Sequence, residues 1–209
     1  MRPNSGNSLL HSYYERILSF LSPHPSDIMP LTATVGAKID MEEIYYYAFS
    51  SPIGTIWIAS DRVGVRLLRF RLGEDEFLKE LEKLPGWHPR ADEGFNRGVS
   101  EEIRAYFEGK VIRFSSPLHP MGSPFDMKVW EALQTIPLGE TRSYQEIAQE
   151  VGNPRGCRAI GAANRRNPIP LLIPCHRVIR KDGGLGGFSS GTEIKEWLLR
   201  FEHNVIRIH

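Results

Sequence analysis

Residues 143–164 have the sequence SYQEIAQEVGNPRGCRAIGAAN, which predicts two short helices joined by a tight turn. Ser143 and Glu146 have the spacing of a capping box, in which each side chain accepts a hydrogen bond from the other residue's backbone N–H. Gly152 suits the end of the first helix, and Asn153-Pro154 opens the second, which we expect to end near residue 164. This arrangement predicts a helix-turn-helix, a motif whose second helix usually enters a DNA groove.

Positive charge is concentrated around this motif. Between residues 141 and 181, eight basic residues outnumber two acidic ones, giving a local net charge of +6 in a chain whose formal net charge is +1. The basic residues are Arg142, Arg155, Arg158, Arg165, Arg166, Arg177, Arg180 and Lys181. This distribution favours a docking surface for a polyanion. The alternative is a solvated basic face with no partner.

One of the two cysteines lies in the segment Ile173-Pro174-Cys175-His176-Arg177-Val178. A thiol beside a histidine and an arginine is a candidate nucleophile, and nearby positive charges favour its thiolate form. Because successive side chains on a helix do not face each other, we expect His176 to reach the thiol through a water. The alternative is a small buried apolar residue, which the preceding Leu171-Leu172-Ile173 also fits. Cys157 and Cys175 form neither a disulfide framework nor a zinc pattern, so we expect no metal and a reducing, intracellular location.

Three polar side chains outside this segment are candidates, each with a structural alternative. Tyr144, at the start of a helix, can pack as an aromatic residue or donate a proton or hydrogen bond near a phosphate. Asn167 precedes a proline, and this turn-initiating pair predicts that its amide braces the turn. Glu202 can orient His176 or lie at the surface. The glycine-dense run 183–187 lacks the Lys-Ser/Thr ending of a phosphate loop and fits flexible backbone that closes over a ligand.

The whole chain predicts a two-part α/β fold preceded by a separate segment. Residues 1–40 are expected to hold a helix over 7–21 and a linker. Residues 41–116 predict a small β-sheet domain with helices. Its strands are expected at about 45–49, 55–60 and 65–70, and its helices at about 74–84 and 97–108. Residues 117–209 predict a mainly helical, winged-helix-like domain, in which Ser123 caps the first helix and Thr192 the last.

No part of the sequence suggests a membrane protein. There is no apolar stretch long enough to span a bilayer, and the N-terminus lacks the basic start and apolar run of a secretory signal. We therefore expect no membrane partner.

The region around Cys175 resembles a known family. Pro174-Cys175-His176-Arg177-Val178, preceded by Asn167-Pro168 and Ile173, is similar to the active-site signature of O6-alkylguanine-DNA alkyltransferases, or methylated-DNA–protein-cysteine methyltransferases. The similarity extends from about Phe125 to Glu202. Its other matching segments are Ser143-Tyr144-Gln145, Gly152-Asn153-Pro154, Arg158-Ala159, Ser189 and Lys195-Glu196-Trp197-Leu198-Leu199. The hairpin Ser51-Pro52-Ile53-Gly54 resembles the family's N-terminal domain more weakly.

The resemblance implies direct reversal of DNA damage. The alkyl group of O6-alkylguanine, and of O4-alkylthymine, would move irreversibly to Cys175 in a single turnover. His176 would act on the thiol through a water, Glu202 would hold His176, and Asn167 would fix the turn beneath the site. Tyr144 would donate to N3 of the leaving guanine.

The resemblance also implies how DNA is bound. The partner would be double-stranded DNA held through its minor groove, with the damaged base flipped out and Arg158 entering the stack in its place. The implied DNA-binding residues are Ser143, Tyr144, Arg158, Ala159 and Arg165, and the implied substrate pocket holds Pro170, Ser189 and Lys195. We expect a monomer without a cofactor, in the cytoplasm or, in a eukaryote, the nucleus. The cysteines of the family's structural zinc site are absent, so again no metal is expected.

Two other functions fit part of the pattern. A non-enzymatic lesion sensor would bind damaged DNA, but the alkyltransferase-like sensors lack the acceptor cysteine. A Cys-His-Glu hydrolase would turn over repeatedly on acyl substrates, and it leaves the arginine-rich helix unexplained.

Overall fold

The N-terminal part of the fold is a four-stranded mixed sheet. The computed structural model describes residues 42–84, 87–110 and 113–208, so the helix and linker predicted within residues 1–40 lie outside the described residues. The strands are β1 (Glu42–Ser51), β2 (Gly54–Ser60), β3 (Val65–Phe70) and β4 (Trp87–Ala91), in the order β3-β2-β1-β4. β1 and β2 form an antiparallel hairpin in which Ser51 pairs with Gly54, at a turn where Gly54 has a φ of +104°. The three predicted strands are thereby confirmed.

This part differs from the prediction in one strand and two helix boundaries. Strand β4 was not predicted, and it pairs in parallel with β1 at the edge of the sheet. Pro89 is tolerated there because an edge strand does not need every backbone N–H. Helix α1 (Glu74–Leu81) begins where it was predicted and ends three residues before the predicted end, whereas α2 (Glu93–Phe107) begins four residues before the predicted start of that helix. The reason is Asp92, whose side chain accepts a hydrogen bond from the N–H of Phe95 at 2.9 Å and caps the helix.

The C-terminal part is mainly helical. Its helices are α3 (Pro124–Gln134), α4 (Tyr144–Glu150), α5 (Cys157–Arg166) and α6 (Thr192–Ile208). A short 3₁₀ turn covers Cys175–Arg177, and β5 (Arg142–Ser143) pairs in parallel with β6 (Val178–Ile179). Within the described ranges, no helix is long and apolar enough to cross a membrane.

The two short helices of the predicted helix-turn-helix are present, but the bounds of the second helix differ from the prediction. Ser143 caps α4 through the predicted box with Glu146. The second helix does not open at Asn153-Pro154, because Gly156 donates a backbone hydrogen bond to the carbonyl of Asn153 at 2.8 Å and closes a turn first. Helix α5 runs on to Arg166, two residues past the predicted end. Thr192 is the first residue of α6 rather than its cap.

The two parts share one hydrophobic core. Phe70 from the sheet belongs to the same buried cluster as Trp130 of α3 and Leu198 of α6. Backbone bonds also join the parts, since the N–H of Leu68 on β3 donates to the carbonyl of Pro168 at 2.9 Å. The sheet therefore holds the loop that leads into the cysteine segment, and the expected α/β fold class is confirmed.

Candidate active site

Cys175 lies at the start of the 3₁₀ turn, and its side chain is 3% exposed. Asn167 holds the segment in place: its Nδ2 donates to the carbonyl of Ile173 at 2.8 Å and to Sγ of Cys175 at 3.1 Å, and its Oδ1 accepts from the N–H of Ile169 at 3.0 Å. The sequence predicts the bracing of the turn but not the contact with the thiol. Leu171 in this loop has a φ of 80°, which is a strained backbone conformation for a residue other than glycine. The surrounding buried segment must hold the backbone in this conformation.

Burial controls the ionisation of the thiol. It raises the pKa of Cys175 from 9.0 to about 11, against the opposing effects of the Asn167 hydrogen bond and the charge of Lys195. The charge of Lys195 does favour the thiolate, as expected of a neighbouring cation, but burial outweighs it in the free protein. The guanidinium of Arg177 is engaged by Glu202 instead of the thiol.

His176 and Glu202 form a fully buried pair. Nε2 of His176 lies 2.8 Å from Oε1 of Glu202, and both side chains are 0% exposed. Burial lowers the pKa of His176 despite the nearby carboxylate, so the imidazole is neutral and Nε2 carries the proton that it donates to Glu202. Nδ1 is then the basic nitrogen. It is buried and has no hydrogen-bond partner in the part of the chain that the structure describes.

Five donors converge on the Glu202 carboxylate. Arg177 donates from Nε to Oε2 and from Nη2 to Oε1, both at 2.9 Å. The N–H of Gly139 donates to Oε2 at 3.1 Å, and the hydroxyl of Tyr106 donates to Oε1 at 2.8 Å. Burial alone would raise the pKa of Glu202, but the contacts with His176 and Arg177 outweigh it and hold that pKa well below its usual range. Arg177 and Tyr106 were not among the site residues predicted from the sequence, and only the position of Arg177 beside His176 offered a signal.

A cleft of about 700 Å³ opens beside the thiol. Among the candidates named from sequence, it is lined by Tyr144, Arg158, Arg165, Cys175 and Ser189. The glycine-rich loop forms one wall, where Gly186 has a φ of +70° and a Cβ would lie 2.8 Å from the hydroxyl of Tyr144. Burial and the proximity of Cys175 raise the pKa of Tyr144, so its hydroxyl remains a donor.

Four other candidates do not line this cleft. Ser143 uses its hydroxyl to cap α4, accepting from the N–H of Glu146 at 3.2 Å. Ala159 is half-buried on α5, and Pro170 is buried in the loop below the cysteine. Lys195 is 0% exposed and donates from Nζ to the carbonyl of Val178 at 2.5 Å. Asn164 was not predicted as a site residue, yet it lines the cleft, and its buried amide has no hydrogen-bond partner among the described residues.

Replacing Lys195 by methionine should change how stability depends on pH. Burial lowers the pKa of Lys195 from 10.5 to about 8, so between these values the unfolded chain holds a proton that the folded chain lacks. The folded wild-type protein therefore gains stability as pH rises, and we expect it to gain about 1 kcal/mol relative to K195M between about pH 7 and 9. Urea unfolding at several pH values measures this difference. Leu198→Met, a buried volume-conserving change on the same helix, should give a curve parallel to wild type; a parallel K195M curve would contradict the prediction.

The comparisons with known proteins cover both parts of this fold. Residues 124–204 match the model of the 6-O-methylguanine DNA methyltransferase DNA binding domain, and residues 44–120 match that family's ribonuclease-like domain. The chain belongs to the 6-O-methylguanine DNA methyltransferase family. The expected activity, transfer of a methyl group from DNA to a protein cysteine, is confirmed at the level of this family.

Relatives and solved structures within the family agree. A methylated-DNA–protein-cysteine methyltransferase of Methanosarcina acetivorans is 45% identical over 76% of this chain and 98% of its own length. The constitutive Bacillus subtilis enzyme of the same name is 39% identical over 76% of this chain and 94% of its own length. The crystal structure of Mycobacterium tuberculosis OGT in complex with DNA has a TM-score of 0.67 and 37% identity, covering 77% of this chain and 94% of that one.

Proposed function

We propose that Cys175 is the acceptor through which this protein reverses O6-alkylguanine damage in DNA, with O4-alkylthymine as a second substrate. The observation that carries the assignment is the position of the thiol: it lies beside a cleft that Arg158 and Arg165 border, with Asn167 on its sulfur. Cys157, by contrast, is exposed on the surface of α5.

The chemistry follows from the protonation states. The thiol proton passes through a water to Nδ1 of His176, and the resulting imidazolium is stabilised by Glu202. Sγ attacks the alkyl carbon, the bond from that carbon to O6 breaks, and its electron pair stays with the guanine. Tyr144 donates to N3 so that the base leaves neutral, and its proton is replaced from solvent. The product is a thioether, which has no ready hydrolysis at neutral pH, so each protein acts once.

The basic helix suggests how the lesion arrives. A target base edge inside a duplex becomes accessible to a buried thiol only when the nucleotide leaves the stack. Arg158, exposed on α5 at the border of the cleft, is placed to enter the vacated space. The small residues Gly161 and Ala162 line the same cleft and allow close approach of the helix to the minor groove. Ser143, Ala159 and Arg165 would contact the DNA backbone, and Ser189 with Pro170 and Lys195 would shape the base pocket.

We further propose that residues 117–209 form the DNA-binding and transfer domain and residues 41–116 a supporting domain. The protein acts as a monomer, because one chain supplies every residue named above. Its proposed location is the compartment that holds the DNA, which is the cytoplasm or, in a eukaryote, the nucleus.

The decisive experiment uses duplex DNA that contains one O6-methylguanine. After incubation, the full chain should gain the mass of one methylene. The gain should saturate at one per protein molecule, and proteolysis should map it to Cys175. An undamaged duplex is the control. Repeated turnover, or methylation mapped to another residue, would overturn the proposal.

A further inference from the structure

The N-terminal part contributes a side chain to the hydrogen-bond network of the active site. Tyr106 lies on α2, within the match to the ribonuclease-like domain, whereas Glu202 lies on α6, within the match to the DNA binding domain. The Tyr106 hydroxyl donates to Oε1 of Glu202 at 2.8 Å, and the tyrosine is 1% exposed. His176 donates to the same oxygen.

We propose that Tyr106 is a positioning residue for alkyl transfer, which sets how strongly Glu202 attracts the proton-accepting His176. This inference rests on the proposed function. Oε1 receives hydrogen bonds from Tyr106, His176 and Nη2 of Arg177, so the three donors compete for one oxygen. Each donor draws negative charge from the carboxylate and weakens its attraction for the other two.

The surroundings leave Tyr106 well suited to this role. Its ring contacts Phe107, Phe114 and Phe201 with centroid distances of 5.1 to 5.3 Å, which fixes the direction of the hydroxyl. Burial and the nearby carboxylate raise the pKa of Tyr106 well above its usual value, so the phenol remains a donor. The other charged or titratable groups that act on His176 are Glu202, Arg177 and Lys195, and each of them is retained when the Tyr106 hydroxyl is removed.

The test is Tyr106→Phe in the full chain, which removes the hydroxyl and keeps the ring. Glu202 then becomes a stronger acceptor for His176 and stabilises the imidazolium. In single-turnover transfer, the pH at which the rate falls to half on the acid side should move up by about half a unit. In the free protein at neutral pH, the Nε2–H proton resonance of His176 should move downfield.

Ile103→Val is the matched control, because Ile103 is fully buried one turn earlier on the same helix. It should lower stability without moving the rate midpoint or the His176 resonance. If Y106F behaves in the same way, Tyr106 is only structural and the inference is overturned. If Y106F does not fold, 3-fluorotyrosine at position 106, a stronger donor, should shift both readouts in the opposite direction, and no shift would overturn the inference. The resonance is read without DNA, so it stays informative even if the wild-type protein transfers no alkyl group.

Discussion

Replacing Cys175 by serine is expected to abolish alkyl transfer to the protein while leaving the affinity for a lesion-containing duplex within a few-fold of wild type. A serine hydroxyl is a far weaker nucleophile than a cysteine thiol. The neutral His176 is also too weak a base to ionise the hydroxyl. The substitution is nearly isosteric, and Asn167 can still donate to the new oxygen. Intact-protein mass after incubation measures transfer, and fluorescence anisotropy of a labelled duplex measures binding.

Cys157→Ser is the matched control for this prediction. Cys157 is exposed on α5, the helix that we expect to contact DNA, so its replacement tests the other thiol on that surface. The C157S protein should still gain one methylene per molecule. Transfer that survives in C175S and disappears in C157S would show that the acceptor has been assigned to the wrong cysteine.

Replacing Glu202 by glutamine should damage both stability and transfer. The amide keeps the shape of the side chain, but its NH₂ group would face the hydrogen-bond donors that now bond to the carboxylate. The buried Arg177 would also lose its counter-charge. Breaking a buried pair in this way lowers the free energy of unfolding by about 3–5 kcal/mol. Without a carboxylate to stabilise the imidazolium, general-base action by His176 should fail, and transfer should slow by about 10²–10⁴-fold.

The pH dependence of stability gives a second measure of Glu202. Because its pKa is lowered in the folded state, Glu202 stabilises the wild-type protein above the ordinary glutamate pKa, and this contribution is lost as the pH falls below it. The stability of the E202Q protein should therefore not show this decrease as the pH falls. Urea unfolding and single-turnover transfer measure these effects. Glu196→Gln, on the same helix in an exposed pair with Arg200, should change stability by less than about 0.5 kcal/mol. Equal effects of E202Q and E196Q would contradict the role given to Glu202.

Local patterns in the sequence predicted most of the fold. The capping box of Ser143 and the β-branched and aromatic residues within 55–60 act over a few residues, so they are visible without tertiary contacts. β4 was missed because a short edge strand with Pro89 is stabilised by pairing with β1, which lies about 45 residues earlier in the chain. The predicted start of α5 at Asn153-Pro154 was wrong, because a turn closed by Gly156 forms there in place of the first helical turn.

The sequence by itself determined the chemistry that this protein can carry: a cysteine beside a histidine, a basic helix-turn-helix before them, and a family signature around both. Those features depend on residue types at short spacing, which folding does not alter. Only the tertiary structure decided the protonation states. It buries Cys175 and raises its pKa, directs Arg177 onto Glu202, and brings Tyr106 from 96 positions away to the same carboxylate. Burial and long-range contact are properties of the packed chain, and no local pattern specifies them.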